Sequence, residues 1–136
     1  VVIIAALNLV KFPNPYTSKT RKELVKYSYD LLLSLAERES FDKIIFTNGT
    51  VRLGWEQLMA RAMNSLVPGD MVYNMTVYNM SYVNGTVRQK ALNSGIITNS
   101  ASLSQFSSLK EIAAADITYT TRKQWILRIH LEVAPG

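Results

Sequence analysis

The apolar pattern of this chain changes its period at Pro68-Gly69-Asp70, and that change restricts the fold more than any other feature. Ahead of it, Trp55, Leu58, Met59, Ala62, Met63 and Leu66 recur at intervals of three and four, which places them on one face of a helix. Beyond it, Met71, Tyr73, Met75 and Val77 alternate with Val72, Asn74, Thr76 and Tyr78, the spacing of a strand whose first set faces helices and whose second faces solvent. A second alternation closes the chain: Trp125, Leu127, Ile129, Leu131 and Val133 are apolar, with Gln124, Arg128, His130 and Glu132 between them and Ile126 the exception. Helical periodicity followed by strand periodicity predicts an α+β fold, with helices on one face of an antiparallel sheet.

The remaining elements fit this frame. Thr20 stands three residues before Glu23, a capping box that starts a helix through "LVKYSYDLLLSLAERE". Leu24, Tyr27, Ser28, Leu31 and Leu35 share its buried face, and both Tyr27 and Tyr29 are assigned to the core side. "FDKIIF" at 41–46 is a strand or a buried connecting turn, a choice that periodicity leaves open. Asn84-Gly85 suits a type I′ hairpin, and residues 86–98 return from it with a break at Asn93-Ser94-Gly95. The Ser-rich stretch that follows is a surface loop or short helix, and "DITYTT" at 116–121 pairs with the last strand across Arg122-Lys123. The expectation is a single globular α+β domain over 19–136, with two amphipathic helices on one face of a roughly four-stranded antiparallel sheet.

Residues 1–10, "VVIIAALNLV", carry no initiating Met. As a helix they would extend about 15 Å, half the roughly 30 Å of a bilayer core. They read as the end of a hydrophobic anchor or packing helix over 1–12, or alternatively as a buried strand. Pro13 and Pro15 make 13–18 an extended linker, because each disfavours helix at its own position and the one before.

The chain has no cysteine, which removes disulfides, thiolate metal sites and cysteine nucleophiles together. One histidine, His130, with Glu132 beside it on a polar strand face, suits a solvated surface better than a catalytic dyad. No phosphate-cradling glycine loop, serine elbow or metal-ligand spacing occurs, so the reading is non-enzymatic, with no cofactor and no metal. The net charge of +5 is concentrated where Lys11, Lys19, Arg21, Lys22 and Lys26 face only Glu23. Lys19, Arg21, Lys22 and Lys26 form the candidate site of an alternative reading, an intracellular basic module for an anionic partner. Nucleic acid is disfavoured as that partner, because no exposed aromatics interleave with the basic residues.

Four Asn-x-Ser/Thr triplets begin at Asn48, Asn74, Asn79 and Asn84, an excess for a chain with nine asparagines. Asn74 lies on the solvent face of its expected strand, and Asn48 and Asn84 precede glycines in expected turns. These four are candidate N-glycosylation sites, which implies an extracellular or cell-surface location. Asn-Gly turns and Thr-rich strands also generate the triplet for structural reasons alone. A basic segment after a spanning helix ordinarily marks the cytoplasmic side, which opposes the exterior location, although that rule compares both flanks of the span.

In its order of parts the chain resembles archaeal membrane-anchored, pilin-like surface proteins related to type IV pilins. The likeness is carried by the apolar N-terminal segment, by "YSYDLLLSLAERESFDKIIF", by the junction "GWEQLMARAMNSLVPGDMVYNMTVYN" and by the closing "ITYTTRKQWILRIHLEVA". It implies a compact outer domain carried on a secretion-signal helix, with subunits of the same surface assembly, including copies of itself, as partners. Pro13 and Pro15 break the long helix that type IV pilins carry from membrane to head. A minor pilin-like component or an anchored surface domain serving assembly or adhesion therefore fits better than a major filament subunit.

Overall fold

The computed structural model describes residues 21–38, 40–109, 111–121 and 123–135, so the anchor and linker expected over 1–18, together with Lys19 and Thr20, lie outside the described residues. The element order is α1 (Arg21–Arg38), α2 (Phe41–Ile45), β1 (Phe46–Thr47), β2 (Thr50–Val51), α3 (Trp55–Leu66), β3 (Met71–Val83), β4 (Thr86–Ala91), β5 (Ile97–Thr98), α4 (Leu103–Ser107), β6 (Ala113–Thr120) and β7 (Ile126–Pro135). The fold is α+β. β1 and β2 form a small ribbon, and a five-stranded sheet runs β4-β3-β7-β6, with β5 also paired to β3. Every described strand pairing is antiparallel.

α1 buries Leu24, Tyr27, Ser28, Leu31, Leu32 and Leu35, a stripe at spacings of three and four that packs on β6 and β7. Tyr29, expected on the same side, is instead 42% exposed, because it falls on the far side of the helix from Leu24 and Leu31. α3 buries Trp55, Met59 and Met63. It stops at Val67, whose extended backbone (ψ 127°) is what the following Pro68 imposes on its predecessor. Four methionines, Met59, Met63, Met71 and Met75, are fully buried between helices and sheet, where unbranched thioether chains fill irregular space. The "FDKIIF" stretch resolves into α2 followed by the first residue of β1.

The sheet follows its expected alternation on the inner face: Met71, Tyr73, Met75 and Val77 from β3, and Leu127, Ile129, Leu131 and Val133 from β7, all join the helix-side core. Trp125 stops short of β7 and is only partly buried. The β6–β7 connection is longer than a turn at Arg122-Lys123. The strands end at Thr120 and resume at Ile126, with Gln124 at φ 67° and the Thr121 N–H bonded to the Trp125 carbonyl at 2.8 Å.

β3 is longer than any single partner. β7 pairs along one edge, whereas the other edge is shared by β4 at Tyr78–Val83 and β5 at Asn74–Met75. Side-chain amides fill the gaps: Asn93 Oδ1 accepts the Val77 N–H at 3.0 Å, Asn99 Oδ1 accepts the Tyr73 N–H at 2.9 Å, and Asn99 Nδ2 donates to the Met71 carbonyl at 3.0 Å. Tyr73 also ties the sheet to α3, its buried hydroxyl donating to Asn64 Oδ1 at 2.9 Å.

Two stability measurements check this account. Asn93→Ala leaves the Val77 amide without its acceptor in a buried place and is expected to destabilise the fold by about 1–3 kcal/mol, read as a lower urea midpoint at unchanged m value. Burial pushes the Tyr73 hydroxyl from 10.0 up to about 12, so the unfolded chain loses this proton at lower pH than the folded one. The contribution of this proton to stability, at most roughly 2–3 kcal/mol, is therefore intact below about pH 10 and is lost between about pH 10 and 12. Tyr73→Phe should lack that component of the alkaline fall.

Candidate functional site

Two of the expected acceptor asparagines sit at matching places. Asn48-Gly49 joins β1 to β2, with Thr47 opposite Thr50, and Asn84-Gly85 joins β3 to β4, with Val83 opposite Thr86. In each turn both central residues have positive φ: 51° and 84° at Asn48 and Gly49, 51° and 76° at Asn84 and Gly85. Asparagine and glycine tolerate that left-handed pair, and its twist matches the twist of the strands it joins. Asn48 and Asn84 are both exposed at these tips. Each has a hydroxyl two residues later, in Thr50 and Thr86, and an aromatic ring two residues before, in Phe46 and Tyr82.

The other two acceptors are placed differently. Asn79 lies inside β3, paired with Lys90 on one side and Leu127 on the other, and is half-buried. Asn74 stands on the face away from the helices, as alternation predicts, but the expectation that this puts it in solvent is incorrect. It is only 6% exposed, and its Oδ1 is buried with no hydrogen-bond partner. Ala134, also on that face, and Phe106 of α4 are buried as well, and neither belongs to the helix-side core. Period two identifies the face a residue takes; the cover over that face comes from elsewhere in the chain. Asn74 therefore offers a transferase far less access than the exposed turn asparagines do.

Of the basic candidates, Arg21, Lys22 and Lys26 are exposed on α1, and Lys19 lies outside the described residues. Arg21 and Lys22 are the first described residues of α1, and both side chains are exposed. Tyr27 is buried, whereas Tyr29, three residues after Lys26 on the same helix, is exposed, so the expectation that no exposed ring stands among these cations is incorrect.

On the outer sheet face, Asp116 Oδ1 lies 2.9 Å from both Arg128 Nη2 and His130 Nδ1. Glu132 Oε1 is 3.8 Å from His130 Nε2, Gln89 Oε1 accepts from Arg128 Nη1 at 2.9 Å, and the Arg128 guanidinium stands 5.3 Å from the centre of the Tyr78 ring. His130 and Glu132 are legible in the sequence as a polar face. Asp116 is not, because only the register of β6 on β7 sets it opposite His130. Two carboxylates flank the His130 ring, and no hydroxyl nucleophile is hydrogen-bonded to it among the described residues.

A cleft of about 200 Å³ opens beside Asn48, between the β1–β2 turn and the β6–β7 connection. Its floor is the Phe46 and Trp125 rings, 5.0 Å apart and tilted by 33°, and Lys43, Lys123 and Thr121 line its rim. Sequence reasoning missed this cleft because its walls come from segments some seventy residues apart. Among the described residues, no group of three or more His, Asp or Glu is placed to hold a metal ion, and no helix is long and apolar enough to cross a membrane.

Because Asn74 buries an acceptor that receives no hydrogen bond, Asn74→Val should leave stability unchanged or raise it by about 1 kcal/mol. A lowered denaturant midpoint would mean that the amide has a partner there. Comparison with protein-family models, with curated proteins and with solved structures finds no match for this chain.

Proposed function

We propose that this chain is a non-enzymatic surface domain that displays N-linked carbohydrate outside the cell and serves the assembly of a pilin-like structure or adhesion. The observation that carries the reading is the pairing of sequon and geometry at Asn48 and Asn84. Both residues stand in exposed two-residue turns, where a transferase can approach. Asn79, half-buried within β3, is a poorer acceptor, and Asn74, 6% exposed, is the poorest of the four.

The β3–β4 hairpin supports the assembly role. All six residues of β4 are exposed, its outer edge has no described partner strand, and Tyr82, Val83 and Val87 hold apolar surface in water near the turn. An unprotected edge with apolar side chains is suited to pairing with another subunit of the same assembly. In this reading the apolar residues 1–10 tether the domain to the membrane.

Mass spectrometry of the protein isolated from its native cells tests the proposal. The expected result is sugar mass above that of the polypeptide, with peptide mapping assigning it to Asn48 and Asn84 and leaving Asn74 bare. Unmodified asparagine at all four positions would overturn it and favour the intracellular module built on Lys19, Arg21, Lys22 and Lys26.

A further inference from the structure

A second cationic group lies in the folded domain, separate from the start of α1. Lys43 of α2, Arg52 after β2 and Arg61 of α3 border one groove of about 400 Å³, floored by Ile44, Leu58 and Ala62 with Ser65 at its edge. No carboxylate lines it. None of the three cations is ion-paired within the described residues, and the nearby acid Glu56 is turned away, accepting from Ser94 N at 3.0 Å. Arg52 is held in place, its Nη1 donating to the Lys43 carbonyl at 3.3 Å. Three converging like charges repel one another, and an anionic surface relieves that repulsion.

Next to Arg52 stands Leu53, 97% exposed, and on its other side Val51, 49% exposed. A lone surface leucine is ordinary. Here the two exposed apolar side chains flank Arg52, which itself lines the basic groove, and apolar side chains beside cations are what a membrane-interface contact combines. We infer that this face of the domain docks on an anionic lipid surface, with Leu53 and Val51 entering the acyl boundary and Lys43, Arg52 and Arg61 meeting the headgroup phosphates. A soluble phosphate would satisfy the cations and leave Leu53 and Val51 in water, so the apolar pair selects lipid. The Asn48 turn lies at the opposite end of the β1–β2 ribbon from Arg52, whose N–H closes that end on the Ile45 carbonyl at 2.7 Å. The inference does not depend on whether Asn48 carries sugar.

The absence of cysteine makes a local test direct. Leu53→Cys in the full chain gives one attachment point for an environment-sensitive fluorophore, and Ser81→Cys on the β3–β4 hairpin gives a control. With vesicles of zwitterionic phospholipid containing an anionic phospholipid, the label at 53 is expected to shift to the blue and the label at 81 to stay unchanged. The shift should vanish with zwitterionic vesicles alone and in about 1 M salt, where charges are screened within about 3 Å. Arg52→Ser with Arg61→Ser should weaken vesicle partitioning about 25-fold, near fivefold for each cation. Binding through residues 1–10 alone would act on every variant alike and would leave the label at 53 silent, which overturns the inference. So would an equal shift with zwitterionic vesicles, a shift unchanged in the double variant, or inorganic phosphate producing the same response without lipid.

Discussion

The hydrogen-bonding demand of β3 organises this molecule. A strand of thirteen residues in the middle of a sheet must satisfy two rows of backbone groups, and an unpaired buried amide costs about as much as a whole hydrogen bond gains. β7 meets that demand along one edge from Met71 to Met80, bringing the end of the chain against its middle. Along the other edge no strand is long enough. β4, β5 and the amides of Asn93 and Asn99 satisfy it piecemeal. Asn93 and Asn99 thereby act as parts of a strand, and the irregular stretch at 92–100 is kept against the sheet by backbone-directed bonds.

That arrangement has a consequence for what the domain presents. Because β3 continues past the last residue of β7's ladder, its final residues and β4 project together as a hairpin with both faces in water. The Asn84 turn is carried at the tip of this projection, away from the core. The Asn48 turn stands on a separate ribbon between α2 and α3. The two candidate acceptors therefore share turn chemistry while differing in support, one on a long extension of the main sheet and the other close to the packed helices.

Charge is also partitioned by the fold. The outer sheet face gathers Asp116, Arg128, His130 and Glu132 into a network in which Arg128 and the His130 ring both meet the Asp116 carboxylate. The groove between α2 and α3 gathers Lys43, Arg52 and Arg61 with no acid. Net charge alone does not reveal this difference: the same composition yields a cation paired with carboxylate in one place and an uncompensated cluster in another. Only the uncompensated cluster leaves electrostatic free energy to be gained from a partner.

What the amino-acid order determined by itself was local: period, turn type and helix ends. The change at Pro68-Gly69-Asp70 stops α3, since Pro68 forbids helix at its predecessor, and the Asn-Gly pairs specify turns because few other residues accept two successive left-handed positions. The inner face of the sheet was legible for the same reason, alternation being a property of consecutive residues. Tertiary structure alone decided what lies across from each residue and what covers it. Asn74 is assigned to a face by its neighbours in sequence, but they do not set its burial on that face. Asp116 meets His130 through register, and Lys43, Arg52 and Arg61 converge through helix packing. Pairings across such separations are selected by the summed packing of the core, which no window of adjacent residues contains.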